Sequence, residues 1–453
     1  MCDETTDVFD KIQMVIILRY ELKGKAVERF WGFFNPVNQT AEALSCILCK
    51  ELELLIKDHP HKLIAQSYDG AAALSGVNKG VQARVKELYG NAHFVHCYAH
   101  QLNLILEKAT SQNSNVRVFF NSLSGIPAFF SNSPQRMAAL DNTAGRRIPR
   151  PSTTRWNFKS RTVNTVYESK DALIACCSKL EASNSKETGS AAAGIKRMLN
   201  DSDFSFWLTF FSKVMPLVEI MFSQLQSRSV DECQAKSALK IFTSSIQELR
   251  DQCNSLISVE FEQKRRRIDT RKSDAAKEVC DVILLQCRER FSFTNHLEAA
   301  KLLLVQNFSV YANSFPSDAL AQAVKAYPTL VADKLKTELT VLYKRRDLWI
   351  SEKLTDMLHA MIDNNLQSTF SEVVKLLKIL ITTPMSTAEA ERCFSTLKRI
   401  KTFLRSTMTN DRLSALGMIT IENKMTTDTI DFNEQVINDF ATSKSRRMDF
   451  VFK

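Results

Sequence analysis

Apolar and polar positions change their period along this chain. From residue 2 to about residue 34 the apolar residues fall in three β-rich stretches: Cys2 to Val8, Ile12 to Tyr20, and Ala26 to Phe34 with its four aromatics. The connections near Asp10 and at Lys23-Gly24-Lys25 are short enough for hairpins, which predicts three antiparallel neighbours. Thr40 is placed to cap a helix in which Leu44, Ile47, Leu48, Leu52 and Leu55 recur at helical spacing. A strand at Leu63 to Tyr68 then ends in Asp69-Gly70. A helix carrying Val81, Val85 and Leu88 stops at Gly90. A brief strand follows at His93 to Val95, and Leu102, Ile105, Leu106 and Ala109 mark another helix.

Three hairpin strands followed by helix, strand, helix, strand, helix is the order of a ribonuclease H-like α/β core. After about residue 110 strand signals almost vanish. A basic, proline-broken loop covers residues 146 to 155 and leads into Trp156. From there to about residue 365 the pattern is helical, including a helix with Phe204, Trp207, Phe211 and Val214 on one face and Pro216 as a kink. Ser183 to Ser190 reads as a polar loop, and Lys264 to Arg267 with Arg271 and Lys272 as a basic connector. One more helix then opens after Pro384. Ser386 and Glu389 have the spacing of a capping box, and Ala390, Phe394 and Leu397 form a buried stripe. Glu391 sits one residue round from that stripe. Lys398 lies two turns further along the same line, among Arg392, Arg399, Lys401 and Arg405. The expected fold is therefore α/β, a ribonuclease H-like core interrupted by a large all-α insertion.

Length changes this picture by requiring more than one core: 453 residues call for two or more domains. With 44% apolar and 24% charged residues the composition is globular. No apolar run approaches the roughly 18–20 residues that span a bilayer, so no membrane is expected, and the acidic N-terminus does not read as a leader. Eleven scattered cysteines read as reduced thiols. A net charge of +10 favours a polyanionic partner.

Asp3, Asp69 and Glu391 stand on a strand, at a strand end and on a helix. Carboxylates so distributed can converge, and two-metal phosphoryl chemistry needs clustered carboxylates holding ions about 3.5–4 Å apart. The plain alternative is a terminal acid, a turn acid and a solvated helix acid. Asp7 rivals Asp3 for the first position. Cys97 and His100, with His93 and His96 nearby, raise a zinc reading, although a closed site wants four well-spaced ligands. Cys46 and Cys49 form C-x-x-C on an apolar helix and read as buried thiols. Arg155-Trp156 pairs a guanidinium for phosphate with a ring on which a base can stack; a core tryptophan is the ordinary alternative. The run from Lys264 to Lys272 is a solvated loop, with phosphate contact or nuclear import as the second reading.

Five blocks then occur in order: Asp3-Glu4-Thr5-Thr6-Asp7 with Ile17-Leu18-Arg19-Tyr20; Ser67-Tyr68-Asp69-Gly70-Ala71-Ala72; Cys97-Tyr98-Ala99-His100-Gln101-Leu102-Asn103-Leu104; Thr153-Thr154-Arg155-Trp156-Asn157; and Ala390-Glu391-Arg392-Cys393-Phe394-Ser395 continuing to Leu404 through Met408. Together they resemble an hAT-superfamily transposase, in the branch of transposase-derived proteins with MYM-type or similar zinc fingers. The resemblance implies catalytic and metal-binding roles for Asp3, Asp69 and Glu391, with Mg²⁺ or Mn²⁺ as cofactor. It implies DNA contacts at Cys97, His100, Arg155 and Trp156, with Arg392 and Lys398 among the cations that hold phosphates. It also implies a C-terminal hAT dimerisation region with Leu413, Leu416 and Ile419 as apolar contacts. The organisation that follows is a first core part at 1–125, basic loop and all-α insertion at 126–365, final core part with dimerisation region at 366–425, and a tail at 426–453. The expectation is a nuclear, DNA-associated homodimer or higher oligomer, a DNA transposase if active. The family's N-terminal zinc finger has no counterpart in these residues. The alternative is therefore an inactive domesticated remnant, serving as a dimerising nuclear regulatory or binding protein.

Overall fold

The computed structural model describes residues 1–443 apart from 8, 150–155, 183–184, 255–265, 292–296, 350–352, 403–404 and 406–407. The chain divides into two units, Met1–Val95 with Met361–Lys453, and His96–Ala360. In the first, β1 (Cys2–Thr6), β2 (Ile12–Leu22) and β3 (Lys25–Phe34) pair antiparallel in sequence order. The β2–β3 turn places both Lys23 and Gly24 at positive φ, as a two-residue primed turn demands, and Gly24 N–H donates to Glu21 Oε1 at 2.6 Å.

Alternation along β2 sends side chains to two cores. Met14 and Ile16 pack with Cys2 and with Leu44, Leu48 and Leu52 of the helix Ala41–Ile56. Val15 and Ile17 pack with Phe30 and Phe33, and with Ala390, Cys393, Phe394 and Leu397 of the helix Ala388–Ile400. Thr40 caps the first of these helices, its Oγ1 accepting from Ala43 N–H at 3.3 Å. Cys46 is exposed on that helix because the leucine stripe takes the buried face, so only Cys49 of the pair is sheltered.

Two further strands, β4 (Ala65–Tyr68) and β5 (His93–His96), form a sheet of their own. β1 lies beside β4, yet the two sheets stay separate ladders. Asp3 and Asp69 are thus brought near one another by packing, not by membership of one sheet.

The C-terminal helices fasten onto the three-stranded sheet through polar anchors as well as core contacts. Arg19 Nη2 donates to Ile381 O at 2.9 Å. From the helix Asn410–Ile421, Asn410 Nδ2 donates to Phe33 O at 2.7 Å, and Ser414 Oγ accepts from Phe33 N–H at 3.0 Å. Glu422 Oε1 accepts from Phe30 N–H at 2.8 Å. Gly417 allows this approach: a Cβ there would stand 2.9 Å from the Phe33 ring. Leu413 is 1% exposed and belongs to the same cluster. This corrects its assignment as a dimer contact, because its side chain is used up inside its own chain.

Among its described residues the second unit is helical apart from the end of β5. Its helix Ser202–Leu225 is long and apolar enough to cross a membrane by length and composition. Thr209, Ser212 and Lys213 interrupt the apolar run, which is why no span stands out in the sequence. Phe204, Trp207, Phe211 and Val214 are all buried, and the helix packs on Trp156–Glu168 and Glu232–Asp251, the placement of a core helix. It continues through Pro216. Two loop expectations fail. Ser185 accepts from Thr188 N–H at 3.3 Å and starts the helix Lys186–Leu199 inside the polar stretch, and the basic run enters the helix Arg266–Arg290.

Candidate functional site

The site begins with β1. Asp3 is pinned in mid-strand opposite Val15, and its Oδ1 accepts from Glu4 N–H at 2.9 Å. Partial burial pushes its carboxyl up to about 7, and the charges of Asp69, Glu391 and Glu4 add to that rise. Desolvation and like charge act in the same sense, since both disfavour a second negative charge in a sheltered place. Asp3, Asp69 and Glu391, spread over 388 positions of sequence, therefore share one electrostatic neighbourhood.

Each of the other two acids is held by its own element. Asp69 follows β4 directly, and its Oδ1 accepts from Ala71 N–H at 3.0 Å in an Asx turn. Glu391 rides on the helix Ala388–Ile400, which packs across β1 and β2. Its half-buried position follows from the helix period, because Ala390, Cys393, Phe394, Leu397 and Ile400 take the buried stripe beside it. Glu4 joins the group on its margin: its carboxyl is raised by burial and by Asp69, and its Oε2 is buried without a hydrogen-bond partner.

Asp7 is disposed of as a rival. Its carboxylate accepts from Phe9 N–H at 2.8 Å, Lys11 N–H at 3.1 Å and Gln13 Nε2 at 3.1 Å, and it pairs with Lys401. These contacts hold it below the ordinary carboxylate range despite burial. It fixes the turn from β1 to β2 and ties that turn to the end of the Glu391 helix.

The capping box expected at Ser386 and Glu389 does not form: the helix begins at Ala388 without a side-chain cap. Glu389 is instead 4% exposed and pairs with Arg392. Both charges reach Glu28, which accepts from Arg19 Nη1 at 2.7 Å with both side chains nearly sealed from solvent. Arg392 thus serves a structural ion network, while Lys398 is exposed. In the sequence Glu28 carries no signal and Glu389 reads only as a cap, because partners some 360 positions apart leave no spacing signal.

Cys97 and His100 belong to the second unit. Cys97 is buried at the start of the helix Tyr98–Gln112, and His100 is half-buried on its first turn. Gln101 links His96 Nδ1, at 2.8 Å, to Arg290 Nη1, at 3.2 Å. Trp156 opens the helix Trp156–Glu168, and Arg155 lies outside the described residues. Leu416 packs against the sheet cluster and Ile419 is 57% exposed, so of the three expected dimer contacts only Ile419 presents an open apolar side chain.

All donors in the Asp3 group are carboxylate oxygens, the type that suits a hard divalent cation. Among the described residues, no three His, Cys, Asp or Glu side chains stand close enough together to hold one ion. The acids lie within reach of one another's charge but not at shared ligand distance. The donor chemistry fits Mg²⁺ or Mn²⁺; the spacing describes an open arrangement.

Residues 1–80 match a family described as ZMYM1/FAM200, RNase-like domain, and residues 338–425 match the hAT family C-terminal dimerisation region. The chain is 22% identical over 472 residues to a human protein named 52 kDa repressor of the inhibitor of the protein kinase, covering 92% of this chain and 61% of the relative. The mouse protein of that name is 21% identical over 469 residues, with the same coverage. The chain therefore spans about three fifths of the length of the curated relatives it matches.

Proposed function

We propose that the chain is hAT-derived, a DNA-associating, self-associating protein whose Asp3, Asp69 and Glu391 are the acids of a divalent-cation site for DNA strand cleavage and transfer. The α/β unit is read as a ribonuclease H-like core and the helical unit as its insertion, consistent with the order of their elements. The observation that carries the proposal is the mutual field at Asp3. Three acids, from one strand, the turn after another and a distant helix, lie within reach of one another's charge, where burial and like charge keep Asp3 protonated to near neutrality. A fold gains nothing from such crowding, so the arrangement suits a cation that relieves it.

When bound, Mg²⁺ or Mn²⁺ would supply charge stabilisation for phosphodiester cleavage, the role carboxylate-held metals play in phosphoryl transfer. Asp3 would give up its proton to become a ligand. Asp69 keeps one oxygen on Ala71 N–H and has the other for coordination. Glu391 approaches on a helix fixed by its stripe and by the Glu389–Arg392 pair. The net charge of +10 supports a polyanion as partner. A DNA-acting, self-associating protein of hAT descent is expected in the nucleus.

Self-association is assigned to the far C-terminal face. Ile419 and Met425 are large, apolar and exposed inside the matched dimerisation region, and Ile430, Val436 and Phe440 continue the exposed apolar run just beyond its end. An open run of such side chains is the ordinary mark of an interface.

The open spacing of the acids favours a second reading, a protein that binds DNA and regulates without cutting it. A cleavage assay on terminal-repeat DNA with Mg²⁺ or Mn²⁺ separates the two. The proposal expects strand cleavage that Glu391→Gln abolishes. DNA binding without cleavage, unchanged by Glu391→Gln, would establish the regulatory reading instead.

A further inference from the structure

In the helical unit, two packed helices carry polar stripes where they face one cavity. On the helix Trp156–Glu168, Val163 and Val166 take the buried face, and Arg161, Asn164 and Glu168 recur beside them at helical spacing. On the helix Ser202–Leu225, Val214, Val218 and Met221 are buried, while Glu219, Ser223 and the cap residue Gln226 form a second polar stripe. Both stripes line a cavity of about 600 Å³. Its third side is the segment after the helix Pro134–Ala144. Gly145, at φ 60°, ends that helix. Ile148 is buried and Thr162 Oγ1 donates to Pro149 O at 3.0 Å, so the segment is pinned and brings Arg146 and Arg147 to the cavity wall.

Three guanidinium groups therefore meet two carboxylates around one polar space. Both carboxylates are already engaged. Glu219 Oε1 accepts from Ser160 Oγ at 2.5 Å, and Ser160 is sealed from solvent. Glu168 pairs with Arg146, both side chains being more than half exposed, and Arg147 pairs with Asp141 at 3.2 Å, also open to water. Ion pairs so exposed are weak and exchange readily for a better partner. Arg161 is exposed, and among the described residues no carboxylate pairs with it. Guanidinium forks take phosphate oxygens two at a time. Asn164, Ser223 and Gln226 add neutral groups of the kind that bond sugar and phosphate oxygens without reading a base.

We infer that this cavity is a phosphate-binding groove for a DNA strand, in which Arg161, Arg146 and Arg147 take the sugar-phosphate backbone. Arg161 is the principal contact, because it gives up no ion-pair partner to make it. Arg146 and Arg147 exchange Glu168 and Asp141 for phosphates as the strand arrives, and the released carboxylates stay in water. The contact is independent of base sequence, since it reaches only the backbone. It rests on the reading that the protein associates with DNA, and adds to it a phosphate site built wholly from residues of the helical unit.

The test is fluorescence anisotropy with the full chain and a short labelled duplex of arbitrary sequence, over a series of salt concentrations. Arg161→Gln and Arg147→Gln are compared with Lys240→Gln, an equal loss of charge at an exposed lysine of the same unit that does not line the cavity. Each arginine variant is expected to weaken binding about three- to tenfold with unchanged Tm, and to reduce the slope of log affinity against log salt by about one. Lys240→Gln is expected to change neither. Arginine variants that behave like Lys240→Gln would overturn the groove while leaving DNA association in place. A wild-type chain that does not bind the duplex would overturn both. Inorganic tripolyphosphate separates a small phosphate ligand from a strand. A rise in Tm with tripolyphosphate that depends on Arg161, beside duplex binding that Arg161→Gln leaves unchanged, would overturn the strand as the occupant.

Discussion

At the scale of single residues, a carboxyl that keeps its proton to near neutrality ties stability to pH in a definite direction. An unfolded aspartate loses its proton near 3.9, whereas Asp3 in the fold holds it to about 7. Between these values the folded chain binds the extra proton. Stability therefore falls as pH rises from about 4 to about 7, and this contribution is flat above that range. Glu232, buried beside Glu298 and also raised to about 7, adds a slope over the same window. The Asp3 part is the difference between the wild-type chain and Asp3→Asn. Urea denaturation should find Asp3→Asn more stable at pH 8 by roughly 1–2 kcal/mol, with the gap closing by pH 4. A constant difference across that range would remove Asp3 from the shared field. Leu413 makes the opposite kind of prediction. Leu413→Ala empties part of a closed core and should cost about 2–4 kcal/mol.

At the scale of elements, the ion network between β2, β3 and the Glu391 helix keeps that helix seated. Arg19 and Glu28 are 4% and 6% exposed as side chains. Replacing Arg19 by Met strands a buried carboxylate and should cost about 3–5 kcal/mol in urea denaturation, whereas Arg19→Met with Glu28→Leu should recover most of it. The proposed self-association is placed on the exposed apolar run at the C-terminal end. Ile419→Asp and Ile430→Asp should shift sedimentation towards monomer with little change in the urea midpoint, because both side chains are more than half exposed. What could be read from the sequence divides along this line. The primed turn at Lys23-Gly24, the Thr40 cap and the Ala390, Phe394, Leu397 stripe are local and were readable from spacing. The helix period could say that Leu413 lies on an apolar face, but not that β3 of the same chain covers it. Glu389 looked like a cap from its offset to Ser386 and instead answers Arg392 and the distant Arg19–Glu28 pair.

At the scale of the molecule, the sequence puts the end of the first core part at residue 125, whereas the structure ends that unit at Val95, because the helices Tyr98–Gln112 and Ser114–Ser131 group with the helical unit. The pairing of the chain's two ends in one unit had no local trace beyond the acids themselves. A net charge of +10 predicts that duplex binding weakens steeply with salt. The logarithm of affinity should fall linearly with the logarithm of salt concentration, with a slope near the number of phosphates neutralised. The account as a whole turns on whether the acids accept a cation at the cost of the Asp3 proton. Calorimetric titration with Mn²⁺ at pH 6.5, repeated in buffers of different ionisation enthalpy, measures that directly. The account predicts binding with release of a proton, release that fades by pH 8.5 and disappears in Asp3→Asn. Binding without proton release at pH 6.5, or no binding at all, would contradict it.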